Sequence, residues 1–96
     1  MTVRYTPRAL RQIESIGAYV ARESPRAADA LLVRIHASCR LLAEHSFAGH
    51  SSEIRGIRVL QMARDAYRIF YEVLPSGEAR ILHVRHTSRR PLRSRP

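Results

Sequence analysis

The sequence predicts an α+β fold, in the order β-α-α-β-β-β, with an N-terminal helix hairpin packed on one face of a small antiparallel sheet. Three observations carry this expectation. Two hydroxyl–proline pairs, Thr6-Pro7 and Ser24-Pro25, each open a stretch with apolar residues three and four apart. After Gly56 the apolar period falls from that of a helix to that of a strand. Turn residues at Arg64-Asp65 and Pro75-Ser76-Gly77 then divide the second half into short segments. A chain of 96 residues, 45% hydrophobic and 26% charged, is expected to form one domain spanning residues 1–96.

Val3-Arg4-Tyr5 is a short extended candidate. The first helix starts at Pro7, places Leu10, Ile13, Ile16, Gly17 and Val20 on one face, and ends near Arg22 because a residue before proline resists helical geometry. The second runs from Pro25 to about His45, with Ala28, Leu31, Leu32, Ile35, Cys39 and Leu42 as its apolar stripe. So short a connection makes the two an antiparallel hairpin. Ser46 to Gly56 reads as loop. Ile57–Met62, Tyr67–Val73 and Arg80–His86 read as three strands of an antiparallel meander. Residues from about 87 to 96 hold four arginines, two prolines and no acid, and are expected to form an exposed basic tail.

Composition narrows the function classes. No apolar run is long enough to span a membrane, and the N-terminus lacks a signal-peptide pattern. A single cysteine, Cys39, excludes an internal disulfide and a multi-cysteine zinc site, and suits a reducing cytoplasm. On an apolar helical stripe it reads as a buried, inert thiol. All 17 basic residues are arginine, against eight acids, for a formal net charge of +9. Guanidinium groups grip phosphates and carboxylates in a two-pronged way, so nucleic acid, a ribosome or an acidic protein are natural partners.

The central strand sorts its side chains by parity. Tyr67, Ile69, Tyr71 and Val73 should meet the helices, leaving Arg68, Phe70 and Glu72 on a face open to solvent. Arg68 is either a binding residue or a solvated arginine paired with Glu72. Arg55 and Arg58 at the start of the first meander strand, and Arg85, Arg89 and Arg90 at the end of the last, are expected to meet around one concave rim. Such a cluster suits a phosphate or a carboxylate, although any single arginine is more often plain solubilising charge. His83 and His86, three apart on a strand, point to opposite faces and cannot share a metal ion. His36, His45 and His50 lack ligand spacing, and no phosphate loop is present, so neither metal nor cofactor is expected. His86 is a candidate acid or base. The few aromatic residues form no base-stacking platform.

Tyr67-Arg68-Ile69-Phe70-Tyr71-Glu72-Val73, followed by Ile81-Leu82-His83-Val84-Arg85-His86-Thr87-Ser88-Arg89-Arg90-Pro91, resembles the ParE/RelE toxins of type II toxin–antitoxin modules. The opening Val3-Arg4-Tyr5-Thr6-Pro7-Arg8-Ala9-Leu10 and Ser24-Pro25-Arg26-Ala27-Ala28 are similar to the family's typical start. The resemblance covers Val3 to Pro91. It implies a cytoplasmic toxin, of the kind that stabilises plasmids and arrests growth, silenced by a cognate antitoxin with an acidic or amphipathic C-terminal segment. The antitoxin usually carries the DNA-binding domain, so operator DNA is reached only through it.

The family implies two activities. ParE-like members poison DNA gyrase; RelE-like members cleave messenger RNA on the ribosome with cationic and acid–base side chains. Arg68 stands at the strand arginine that both branches share. The nuclease pattern lacks its lysines on the preceding strand, which offers Arg58. It also lacks a tyrosine after Arg85, and Thr87 and Ser88 stand where a cation belongs. The His86-Thr87-Ser88-Arg89-Arg90-Pro91 ending resembles ParE. The leading expectation is a gyrase inhibitor rather than an enzyme. It would bind target or antitoxin through Arg58, Arg68, Arg85, His86, Arg89 and Arg90. The alternative is an endoribonuclease using Arg68, His86 and Glu72, and a third reading is a basic interaction protein without toxicity.

Overall fold

The computed structural model describes residues 2–90 together with Leu92 and Arg95. The elements run β1 (Arg4–Tyr5), α1 (Pro7–Ala21), α2 (Pro25–Glu44), β2 (His50–Ser51), β3 (Arg58–Gln61), β4 (Tyr67–Val73) and β5 (Ala79–His86). Five strands form one sheet in the order β1-β5-β4-β3-β2. The expected α+β architecture is present, with two corrections. β1 joins β5 in parallel, so the sheet is mixed. The stretch Ser46 to Gly56 contains a further strand, β2, paired antiparallel to β3 through His50 and Ser51.

Both helices begin as the sequence dictates. The Thr6 hydroxyl accepts from the Ala9 N–H at 3.1 Å and the Ser24 hydroxyl from the Ala27 N–H at 3.1 Å. Each satisfies one of the donors that a helix start leaves free. Thr6 does more than cap. Its N–H reaches Ile81 O at 3.1 Å and its hydroxyl donates to the same carbonyl at 3.0 Å, which fixes the β1–α1 junction to β5. Gly77, with φ of +90°, supplies the left-handed corner of the β4–β5 turn.

The main core lies between the hairpin and one face of the sheet. Ile13 of α1, Leu31, Ile35 and Leu42 of α2, and Ile69, Tyr71 and Ile81 of the sheet are its central members. Cys39 is fully buried there, and burial pushes its thiol up to about 11, so it carries no thiolate at neutral pH. The bidentate Arg34–Asp65 pair, at 2.8 and 2.9 Å, fastens α2 to the β3–β4 turn.

The opposite face is not simply open. Ile57, Phe70 and Leu82 form a second, smaller cluster there, covered by Ile54, Val59 and Leu92. A register shift between Phe70 and Tyr71 makes room for it. Tyr71 pairs with Ile81 and Phe70 with His83, which leaves Leu82 as an extra residue in β5.

Candidate functional site

The face opposite the helices carries two neighbouring arginines that lack a carboxylate partner among the described residues. Pairing sets Gln61 of β3, Arg68 of β4 and Arg85 of β5 side by side across three strands. Residues opposite one another share a face, so all three project away from the hairpin. Arg68 Nε donates to Gln61 Oε1 at 3.2 Å. The Gln61 amide in turn donates to Tyr67 O at 3.1 Å, which ties the arginine's partner to the β3–β4 turn. Among the described residues, Arg4, Arg34, Arg80 and Arg95 have carboxylate partners, and neither Arg68 nor Arg85 does. Like charges directly across a ladder repel. The pair is therefore prepared for an anion, such as a carboxylate or a phosphate group.

Beside Arg68 lies a groove of about 250 Å³, lined by Ser51, Ser52, Glu53, Ile54, Val59, Phe70 and Leu92 as well as Arg68 itself. Apolar side chains of Ile54, Val59, Phe70 and Leu92 beside the Arg68 guanidinium suit a segment that carries both apolar and acidic side chains.

Several expected partnerships are replaced by others. Glu72 does not pair with Arg68. Its Oε2 accepts from Arg80 at 2.6 and 2.9 Å, and its Oε1 from Arg95 at 3.0 Å. Burial raises its carboxyl, but the hydrogen bonds from Arg80 and Arg95 outweigh this and hold it below the usual carboxylate range. A carboxylate held by two guanidinium groups is a poor general base.

His86 pairs with Tyr67 and meets that ring edge-on at 5.2 Å. Tyr67 packs against the main core, so His86 lies on the helix side of the sheet, away from Arg68. The Ser88 N–H donates to its Nδ1 at 3.1 Å, which makes Nδ1 an acceptor and places the neutral ring's proton on Nε2. The trio Arg68, His86 and Glu72 thus does not converge on one point.

The expected rim is also absent. β3 and β5 are separated by β4, and two successive antiparallel pairings make them parallel to each other. The start of β3 therefore lies beside the start of β5, while Arg85 stands at the other end. Arg58 faces the helix side. Its Nη2 donates to Gly49 O at 2.6 Å, its Nε approaches Tyr71 Oη at 3.4 Å, and its guanidinium lies 4.9 Å from the centre of the Phe47 ring. The Tyr71 hydroxyl accepts from the Gly49 N–H at 3.0 Å. A Cβ at Gly49 would stand 2.5 Å from Val59 O, so only glycine fits this close approach. Arg58 secures the loop before β2 rather than facing the Arg68 groove. Arg55, Arg89 and Arg90 are exposed.

His83 shares the face of Phe70 and packs edge-on to it at 6.2 Å. It lies opposite in orientation to His86, as the strand period requires. The Gln12 amide is 2.9 Å from its Nδ1, and Gln12 Oε1 accepts the Val84 N–H at 2.8 Å. Burial, with the nearby charges of Arg85, Arg8 and Arg89, pushes its pKa down to about 4. It is neutral at pH 7. No group of histidine, cysteine and acidic side chains among the described residues could hold a metal ion.

The chain as a whole is similar to known proteins. Residues 3–91 match the model of a family described as the ParE toxin of the type II toxin–antitoxin system, parDE. The chain belongs to the ParE toxin family. Among curated relatives it is 37% identical over 84 residues to "Putative toxin Y4kP" of Sinorhizobium fredii (strain NBRC 101917 / NGR234), covering 88% of this chain and 85% of that one. Among solved structures it is similar to a chain of the chromosomal ParDE system from P. aeruginosa. The TM-score is 0.77 at 25% identity, over 90% of this chain and 95% of the other. The protein is thus a toxin of the ParE family of type II toxin–antitoxin systems. Two features of this ParE-family chain carry little local sequence signal. Gln61 as the partner of Arg68, and the Leu82 bulge, both depend on pairing across strands.

Proposed function

We propose that this ParE-family toxin inhibits DNA gyrase in the cytoplasm. A cognate antitoxin silences it by laying an acidic or amphipathic C-terminal segment on the sheet face of Arg68 and Arg85. The whole chain, residues 1–96, acts as one domain. The observation that carries the reading is the Arg68–Arg85 pair, which has no carboxylate partner among the described residues, with Arg68 itself lining a groove that also contains Ile54, Val59, Phe70 and Leu92. Such a face binds acidic segments. RNA cleavage through a 2′-hydroxyl needs a base and an acid near the cations. Here Glu72 is held by Arg80 and Arg95, and His86 lies across the sheet. The geometry therefore favours an inhibitor over a nuclease. Arg68, Arg85, Arg89 and Arg90 are the proposed contact residues. Arg58 contributes by holding the Phe47–Gly49 loop.

The test is purified toxin, freed of antitoxin and refolded, added to gyrase with plasmid DNA. Supercoiling and trapped cleavage are both read. The expected result is dose-dependent inhibition with accumulation of cleaved plasmid, reversed by antitoxin. Intact gyrase activity at doses that arrest translation in an extract, with cut messenger RNA, would overturn it in favour of a ribosomal target.

A further inference from the structure

β1 covers β5 only at Arg80 and Ile81. Beyond that point the edge of β5 is taken by α1. The Thr6 N–H reaches Ile81 O at 3.1 Å and Gln12 Oε1 accepts the Val84 N–H at 2.8 Å, so the first turns of α1 run along β5. The Gln12 amide also lies 2.9 Å from His83 Nδ1. Arg8 stands one turn before Gln12, on the same side of the helix. His83 and Arg85, two residues apart in β5, share its outer face. Arg89 sits in the turn after β5, where its N–H donates to His86 O at 3.0 Å. The charges of Arg85, Arg8 and Arg89 all reach His83, and with burial they keep its ring neutral. Three arginines from three segments thus surround a polar floor of Gln12 and His83. Arg68, opposite Arg85, extends the row onto β4.

Other exposed helical arginines are placed differently. Arg11, Arg26 and Arg40 each precede an acid by three or four residues, namely Glu14, Asp29 and Glu44. At those spacings Arg8 is followed by Arg11 and Gln12. Among the described residues, none of Arg8, Arg68, Arg85 and Arg89 has a carboxylate partner. Ile54, Val59 and Phe70 line the groove at the Arg68 end, whereas the floor at the Arg8 end is polar. A polar floor beneath several guanidinium groups suits a phosphate backbone better than a peptide that needs apolar contact as well. Phe70, packed against His83, is 8% exposed and offers no face on which an unpaired base could stack. A duplex therefore fits this surface better than a single strand.

We propose that Arg8, Arg68, Arg85 and Arg89 grip the phosphate backbone of duplex DNA without reading its sequence. The choice of DNA over RNA rests on the reading that the target is gyrase. Arg68 and Arg85 also face the antitoxin's acidic segment in that reading, so DNA and antitoxin exclude one another.

The test uses the antitoxin-free full chain and a labelled duplex of about 20 base pairs and arbitrary sequence, with affinity read by anisotropy between about 50 and 200 mM salt. One variant combines Arg8→Gln with Arg89→Gln. The control combines Arg26→Gln with Arg40→Gln on α2 and carries the same charge. The expected result is that the first variant loses about 10-fold or more in affinity and that its salt dependence falls by about two phosphate contacts. The control should lose less than about 2-fold. Equal losses in both variants would overturn the site, because the attraction would then belong to net charge alone. No binding by the unsubstituted toxin at the lowest salt would overturn it outright. Equal or tighter binding to a duplex RNA of the same sequence would overturn the choice of DNA. A first variant that keeps its DNA affinity but loses affinity for full-length antitoxin would assign the surface to the acidic segment instead. Gyrase left uninhibited by a toxin that binds duplex DNA through these arginines would remove the gyrase reading and leave the DNA site standing.

Discussion

The two faces of one sheet are built to different standards. On the helix side, Ile69, Tyr71 and Ile81 are fully buried under two capped helices. On the other side, Phe70 and Leu82 retain 8% exposure beneath a loop and Leu92, and charged residues surround them. β4 contributes to both by simple alternation. The difference teaches that stability and recognition are separated by side-chain parity. Residues of one parity fill the core, and their neighbours are free to carry uncompensated charge.

Substitutions in matched positions sharpen this contrast, and the largest effect belongs to the core. Ile69→Ala is expected to cost about 3–4 kcal/mol, and Leu82→Ala about 2 kcal/mol, since its thin cover can relax into the space. Urea unfolding of both variants measures the ordering. Equal losses would mean that the second cluster is as firmly packed as the first.

A smaller effect separates the two helix starts. Thr6→Ala removes a cap and a tie to Ile81, and should cost about 1–2 kcal/mol. Ser24→Ala removes only a cap, and should cost about 1 kcal/mol or less. Thermal melts of the pair test whether the β1–β5 junction adds anything.

The outer face should also be the acid-sensitive one. His83 is pushed down to about 4 from an ordinary 6.5, so the unfolded chain takes up its proton first. The stability that the neutral ring contributes is complete above the unfolded value and is lost as pH falls from about 6.5 to 4. His83→Gln should flatten the unfolding midpoint across that window. An unchanged slope would show that the ring is already free to charge in the fold.

Much of this was legible in the sequence because it is local. The hydroxyl–proline caps, the helical stripes and the bounds Tyr67–Val73 follow from neighbours a few residues apart. The placement of Ile69 and Tyr71 toward the helices follows from parity. What the sequence hides is non-local. β1 is two residues long and finds its partner at Arg80 and Ile81, with no nearby signal to mark the pairing. The extra residue at Leu82 interrupts a stretch that reads as an unbroken strand. Glu72 looks available to Arg68 until Arg80 and Arg95 arrive from other segments. Arg58 looks like a rim cation until the strand order is known. The Arg68–Arg85 pair needed the register of β4 and β5, although each arginine was a candidate by itself.

The smallest effect on stability should accompany the largest effect on binding. Arg68→Gln combined with Arg85→Gln removes a like-charge pair from a half-exposed surface, so the unfolding free energy should change by less than about 0.5 kcal/mol. The decisive measurement is the antitoxin affinity of this double variant, read beside its unfolding midpoint. If the outer face is the binding face, the dissociation constant rises by about 10-fold or more while the midpoint stays in place. An unchanged affinity in a folded variant would contradict it and move the interface away from Arg68 and Arg85.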